Sequence, residues 1–562
     1  MSRFFAMFTA FLAATAHPTS SKQPTVRVKN GTLGGVDLSA FDQELFLGVP
    51  FAQAPLGDLR FRHPAQLNGS WDGVKDATAR SSSCPGYTGF SAGLTLGEDC
   101  LTLDIARPKG IQIHDRLPVL VWIYGGGFLG GGTADPRYNT SYLVNASISI
   151  QKPMIAVSIN YRLAGWGFLA SREMAEDGAL NIGLFDQRLA LRWIQENIAA
   201  FGGDPDAVTI NGESAGAYSV GCHIVGFDGN NEGLFRGAIL QSATSIGPPI
   251  NSIDDLATTY QLTYDNVTSA VGCDNSTDTL DCLRRAPYAD LYEALSTFLD
   301  PNPVIDGEFL RRRPSESYEQ GLFANVAILA GTNTDEGTAT FIGPRGSLNT
   351  DADFANYLAG LASGLDNETV VHLMELYPDD PTQGCPFNTG EERFAQNGYQ
   401  YKRGAAFAGD NKIIAGRRAT TRYHSSLKGD KRRPVYSYRF DQAPWNGIQP
   451  LVAVDAPVYA THYSEICFTF NIEPSASVNN TNWIGPYPEY YELSNQMSRA
   501  WISFVHGMNP NGYHLKGSPV WPEYGTSEEN MVFKVGQNSI ERDDWRADQI
   551  EYLNTISAAL KT

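Results

Sequence analysis

The chain of 562 residues carries 42 Lys and Arg against 61 Asp and Glu, a formal net charge of −19. This balance argues against a nucleic-acid partner, because phosphate binding needs clustered Lys and Arg; the short runs Arg311–Arg313 and Lys431–Arg433 read as solvated or internally paired patches. With 42% hydrophobic and 18% charged residues, and with no Pro-rich or Gly/Ser-rich linker and no internal repeat, the composition predicts one large folded domain over residues 17–562.

The first residues are of a different kind. Arg3 precedes the apolar stretch Phe4–Ala14, and Ala14-Thr15-Ala16 supplies small residues at the spacing a signal peptidase needs, so residues 1–16 read as a secretory signal and the mature protein begins near His17. That stretch is too short to span a bilayer, and nothing later in the chain resembles a membrane helix or a lipid-anchor signal. Asn-x-Ser/Thr sequons at Asn30, Asn68, Asn139, Asn145, Asn266, Asn275, Asn367 and Asn479 are glycosylation candidates on a secreted protein.

Leu120–Tyr124 predicts a buried strand that runs directly into Gly125-Gly126-Gly127-Phe128, where consecutive glycines let backbone N–H groups approach a substrate oxygen unobstructed. Ala207–Ile210 predicts a second strand, followed by Gly212-Glu213-Ser214-Ala215-Gly216. This is the sequence form of a nucleophile elbow, a sharp strand-to-helix turn whose flanking positions have no room for a Cβ. The helix expected from Ala215 to about Ile224 would aim its N-terminal N–H groups at an oxygen that becomes negative during acyl transfer. A chain with 55 glycines produces such a pentapeptide by chance roughly 0.4 times, so the assignment depends on its companions. With Ser214 as nucleophile, the acid must follow it and the histidine must follow the acid. Val326–Ala330 predicts a third buried strand, and the loop after it offers both Asp335 and Glu336 as the acid. Of the nine histidines, His372, His424, His462, His506 and His514 come later still; His462, in Thr461-His462-Tyr463-Ser464-Glu465, stands out because it leads into an apolar run read as a strand, although a lone histidine in such a place is more often a structural hydrogen-bonding residue.

Together with Glu98–Ile105, Phe201–Pro205, Phe46–Ala52, Asn160–Leu163 and Asn181–Leu191, these motifs resemble the type-B carboxylesterase/lipase family across nearly the whole mature chain. The resemblance implies an α/β-hydrolase fold: a large, mostly parallel, twisted sheet flanked by helices, a small antiparallel region near residues 26–50, and long helical insertions after Ser214 and between Glu336 and His462. It implies a carboxylic ester hydrolase acting on a small-molecule ester through an acyl-enzyme on Ser214. His462 would be the base and Glu336, rather than Asp335, its orienting acid. Gly126, Gly127 and Ala215 would form the oxyanion hole, and no metal or organic cofactor is called for. It also implies disulfides Cys84–Cys100 and Cys273–Cys282, leaving Cys222 and Cys467 as packing residues and Cys385 without an assignment.

The first disulfide loop, Pro85–Asp99, is short and glycine-rich, with Tyr87, Phe90, Leu94 and Leu96 as its sizeable apolar residues. Such a cover suits soluble short- to medium-chain esters better than an interfacial triacylglycerol or sterol-ester lipase, which is the alternative. The loop contains no tryptophan, and Pro248 and Pro249 stand where cholinesterases carry an acyl-pocket tryptophan, so a choline preference loses its cation–π basis. Non-catalytic adhesion relatives of this fold lack one or more triad residues, whereas here all three are present.

Overall fold

The computed structural model describes residues 23–562 apart from 88, 253–254, 256–259, 299, 340–343, 362–364, 430–431, 446–458, 474–481, 514–516 and 526. Residues 1–16 and Asn479 therefore lie outside the described residues.

A small sheet is built from β1 (Thr25–Val28), β2 (Gly31–Gly34) and β5 (Val74–Asp76), with β1 and β2 antiparallel and β5 parallel to β2. The rest of the expected N-terminal region, β3 (Val36–Leu38) and β4 (Gln43–Pro50), instead joins the edge of the main sheet. That sheet continues with β6 (Thr102–Pro108), β7 (Leu117–Ile123), β8 (Ile155–Ile159), β9 (Gly203–Glu213), β10 (Gly237–Gln241), β11 (Ala327–Asn333), β12 (Val435–Phe440), β13 (Glu529–Phe533) and β14 (Ser539–Arg542). Among the described residues its strands run in the order β14-β13-β12-β11-β10-β9-β7-β8-β6-β4-β3. Pairing is parallel from β8 through β7, β9, β10, β11 and β12 to β13, and antiparallel at both margins. Every residue of β7, β8, β10 and β11 is buried, which explains their near-continuous apolar sequences: a parallel strand covered on both faces has no solvent side to mark with polar residues.

The helices that matter for the site are α1 (Ile182–Asn197), α2 (Ala215–Gly229, interrupted at Gly226–Asp228), α3 (Tyr288–Leu295), α4 (Tyr401–Gly409), α5 (Ala415–Ser426), α6 (Ile466–Thr469) and α7 (Pro488–Gly507). α1 is fastened to the loop after β8 by Arg162, whose backbone N–H and guanidinium both donate to the fully buried Asp186. The apolar run after His462, expected as a strand, is the short helix α6. Thr469 N–H and Phe470 N–H donate to the carbonyls of Glu465 and Ile466, and a run buried on all sides carries no periodicity to separate strand from helix.

Strand order places the site. From β7 the chain crosses to β8 on one side, and from β9 it crosses to β10 on the other, so the carboxyl ends of β7 and β9 open a crevice between them. This is the switch point at which open parallel sheets bind ligands. The Gly125–Gly127 loop leaves β7 there and Ser214 leaves β9, while Gln241 of β10 lies level with Glu213 and with Gly331 of β11.

Candidate active site

Ser214 has φ 55° and ψ −126°, a backbone conformation that L-residues rarely adopt. Two glycines make it possible. A Cβ on Gly212 would lie 2.3 Å from the Gly216 carbonyl carbon, and one on Gly216 would lie 2.1 Å from the Ile123 carbonyl oxygen of β7. The turn is closed by Ser214 N–H donating to Gln241 O (2.9 Å) and by Tyr218 N–H donating to Ser214 O (2.8 Å), which starts α2 at once.

His462 Nδ1 lies 2.6 Å from Glu336 Oε2, and the other oxygen of that carboxylate accepts Asn333 N–H at 2.7 Å. Glu336 and His462 are both buried. The neighbouring acid serves elsewhere: Asp335 accepts the N–H groups of Phe387 (2.8 Å) and Ala460 (3.2 Å) and faces the buried Cys385 sulfur, so it clips the acid loop to the histidine loop. Burial raises the Asp335 carboxyl to about 7. The other described histidines that follow the acid in the chain lie in unrelated settings. His372 is exposed beside Glu375, His424 is buried against the rings of Tyr318 and Phe323, and His506 meets the Lys152 carbonyl. His514 is outside the described residues.

Ser214 and His462 both line a cavity of about 440 Å³, together with Gly127 and Ala215. Gly126 stands one residue before Gly127 at φ 97°, where a Cβ would strike the Gly130 carbonyl oxygen at 2.2 Å. The glycine loop thus brings bare backbone close to Ser214, the requirement for donors aimed at an oxyanion.

Two acids that sequence reasoning passed over also face the histidine. Glu213, quoted only as the variable position of the elbow, is fully buried with Oε1 3.3 Å from His462 Nε2, and neither of its oxygens has a hydrogen-bond partner among the described residues. Burial pushes its carboxyl well above the usual range. Glu465 accepts from Asn333 Nδ2 at 2.7 Å, and burial lifts it to about 7. For His462, burial disfavours the imidazolium, but the Glu213 and Glu336 carboxyls outweigh it and raise the ring from 6.5 to about 9. The sequence signal was present in outline: Glu213 precedes the nucleophile, and Glu465 follows the histidine by three residues.

The disulfides Cys84–Cys100 and Cys273–Cys282 are both formed, and Cys222, Cys385 and Cys467 are buried outside any disulfide. Of the sequons, Asn68, Asn266, Asn275 and Asn367 are exposed, and Asn139 and Asn145 are half-buried. Asn30 does not suit a glycan: its side chain is buried and its Nδ2 donates to the carbonyls of Leu67 and Gly69.

A sequence profile of the carboxylesterase family matches residues 22–553. The chain belongs to the carboxylesterase family. It is 35% identical to "Lipase 4" of Diutina rugosa over 90% of each chain, and 33% identical to "Secreted lipase 1" of Botryotinia fuckeliana over 94% of this chain and 92% of that one. It is also 32% identical to "Secreted triacylglycerol lipase LIP1" of Gibberella zeae, over 98% and 93%. Among solved structures, Aspergillus niger EstA superposes with a TM-score of 0.82 at 25% identity, covering 96% of this chain and 99% of that one. The protein is thus a carboxylic ester hydrolase with an α/β-hydrolase fold.

Proposed function

We propose that this enzyme is a secreted serine esterase that cleaves soluble short- to medium-chain esters through an acyl-enzyme on Ser214. His462 takes the Ser214 proton as the hydroxyl attacks the ester carbonyl, and Glu336 holds the imidazole tautomer and stabilises the imidazolium. The N–H groups of Gly126, Gly127 and Ala215 receive the oxyanion, each such donor contributing about 3–4 kcal/mol. When the alcohol has left with the histidine's proton, water attacks the acyl-enzyme with His462 again as base, releasing the acid. Secretion is supported by the signal-like residues 1–16 and by the relatives named as secreted; residues 17–562 would form the single catalytic domain.

The observation that carries the substrate class is how the first disulfide loop is held. Tyr87 OH donates to Tyr292 O of α3 (2.8 Å), Tyr292 OH donates back to Gly86 O (2.9 Å), and Trp166 Nε1 donates to Tyr87 OH (3.2 Å). Tyr87 N–H also donates to Leu129 O, which ties the rim to the glycine loop itself. A cover stitched in this way to both neighbours is a fixed rim, and a lid that must swing open at an oil surface would have to break all of these bonds. The lipase reading is favoured by the names of the relatives. The rate on tributyrin across its solubility limit separates the two. The esterase reading expects saturation on dissolved substrate with no jump at the limit, whereas a steep rise on emulsion would favour the lipase.

A further inference from the structure

The backbone beside His462 is strained. Ser464 N–H donates to Thr461 O at 3.1 Å and closes a tight turn with His462 and Tyr463 at its centre. The second of these, Tyr463, has φ 75°. Glycine or asparagine ordinarily fills such a position, because a Cβ there crowds the backbone, and a bulky side chain is an outlier that its surroundings must hold in place. The strained residue is the immediate neighbour of His462, so whatever holds it also fixes the direction in which the imidazole leaves the chain.

What holds it is a cluster built around Arg137. Asp135 caps the short turn Pro136–Tyr138 by accepting Arg137 N–H at 2.9 Å, and the same carboxylate accepts from Arg137 Nε (2.9 Å) and Nη2. The pair is almost enclosed: the Arg137 side chain is 12% exposed and that of Asp135 4%. The guanidinium carbon lies 5.4 Å from the ring centroid of Tyr463, 5.3 Å from that of Phe90 and 5.9 Å from that of Tyr138. At such separations a guanidinium is attracted to a ring face, and more strongly where water is kept away. Phe90 and Tyr138 each meet the Tyr463 ring edge-on at 6.2 Å. Trp483 adds a further ring at 5.5 Å, and its Nε1 donates to Ser464 O (2.7 Å) at the end of the same turn.

The cluster joins loops that are far apart in sequence. Phe90 belongs to the first disulfide loop, and a Cβ on Gly126 would lie 3.3 Å from its Cγ, so the ring abuts the glycine loop. Tyr463 belongs to the histidine loop. The ion pair of Arg137 with Asp135 is local, between residues two apart, and connects nothing across the fold. The connection is made by the face of the guanidinium, which meets both rings at once.

We propose that Arg137 is a positioning residue for His462: its guanidinium clamps the rings of Tyr463 and Phe90 and so fixes the histidine turn against the glycine loop. This rests on the reading of His462 as the base toward Ser214. Without the clamp the turn relaxes away from positive φ and the imidazole leaves its 2.6 Å contact with Glu336. A misplacement of about 1 Å at a reacting group costs about 10²-fold in rate.

The test measures kcat and KM for 4-nitrophenyl butyrate in Arg137→Met, Arg137→Lys, Tyr463→Gly and Tyr463→Phe, with circular dichroism and thermal unfolding to verify the fold. Neither Arg137 nor Tyr463 is among the residues lining the cavity. Arg137→Met should therefore lower kcat roughly 10- to 100-fold while KM stays within about threefold. Arg137→Lys keeps a cation over the rings and should recover most of the loss. Tyr463→Gly gives the turn the residue its backbone prefers and removes only the ring, so a fall in its kcat reports the clamp and not the strain; Tyr463→Phe should restore it. A folded Arg137→Met or Tyr463→Gly enzyme with kcat within about threefold of wild type, or with its loss carried by KM, would overturn the proposal. If Arg137→Met does not fold, the two Tyr463 variants decide. Wild-type kcat in His462→Ala would instead remove the reading of the base, and the clamp with it.

Discussion

Replacing Glu336 by Gln changes one atom, and the structure says which way the new side chain must sit. Glu336 Oε1 accepts Asn333 N–H at 2.7 Å, so an amide nitrogen there would set donor against donor. The Gln carbonyl is therefore forced toward Asn333 and its NH₂ toward His462 Nδ1. The imidazole then accepts at Nδ1 and carries its proton on Nε2, the nitrogen that must be unprotonated to act as base toward Ser214. The carboxylate's charge is lost as well: at the 2.6 Å contact, with an effective dielectric of about 20, that is worth about 6 kcal/mol of imidazolium stabilisation. Both routes lead to a fall in kcat of about 10⁴-fold. Steady-state hydrolysis of 4-nitrophenyl butyrate, with thermal unfolding to verify that the variant folds, measures this. A Glu336→Gln enzyme within tenfold of wild type would refute the assignment of Glu336 as the orienting acid.

Because His462 must be neutral to accept the serine proton and its pKa is raised, kcat/KM should climb with pH through a value above 6.5, toward about 9, and fall on the acid side. Glu213→Gln should move that limb to lower pH, and a pH–rate profile of both enzymes reads the shift. Gly216→Ala places a Cβ 2.1 Å from the Ile123 carbonyl oxygen, so soluble, active enzyme should not be recovered, as expression and circular dichroism would reveal. Tyr87→Phe with Tyr292→Phe removes both reciprocal bonds of the rim and should lower stability by about 1–3 kcal/mol in urea unfolding.

The strained turn at Ser214 was legible because strain leaves a sequence signature: few residues other than glycine fit beside a serine at φ 55°, and both glycines are needed for stated contacts. Chain order and three buried apolar runs placed the central strands. The acid was legible only as a pair. Asp335 and Glu336 differ in where their carboxylates point, a property of the packed loop rather than of the sequence, and only the resemblance chose between them. The run after His462 was misread as a strand because a segment buried on every side has no polar face to mark its period. Glu213 and Glu465 are not singled out by the sequence for a related reason. Each meets a neighbour distant in sequence, Glu213 lying against His462 and Glu465 accepting from Asn333. Tyr87 is legible only as bulk in the first disulfide loop, while the hydrogen bonds that join that loop to Tyr292 link residues some two hundred positions apart.

The most direct test is hydrolysis of 4-nitrophenyl esters from acetate to palmitate by the enzyme and its Ser214→Ala variant side by side. A maximum at short or medium chains that disappears in Ser214→Ala is the predicted result. Hydrolysis that persists in the variant would contradict the nucleophile, and a Ser214-dependent maximum at long chains, rising with an oil interface, would contradict the fixed rim.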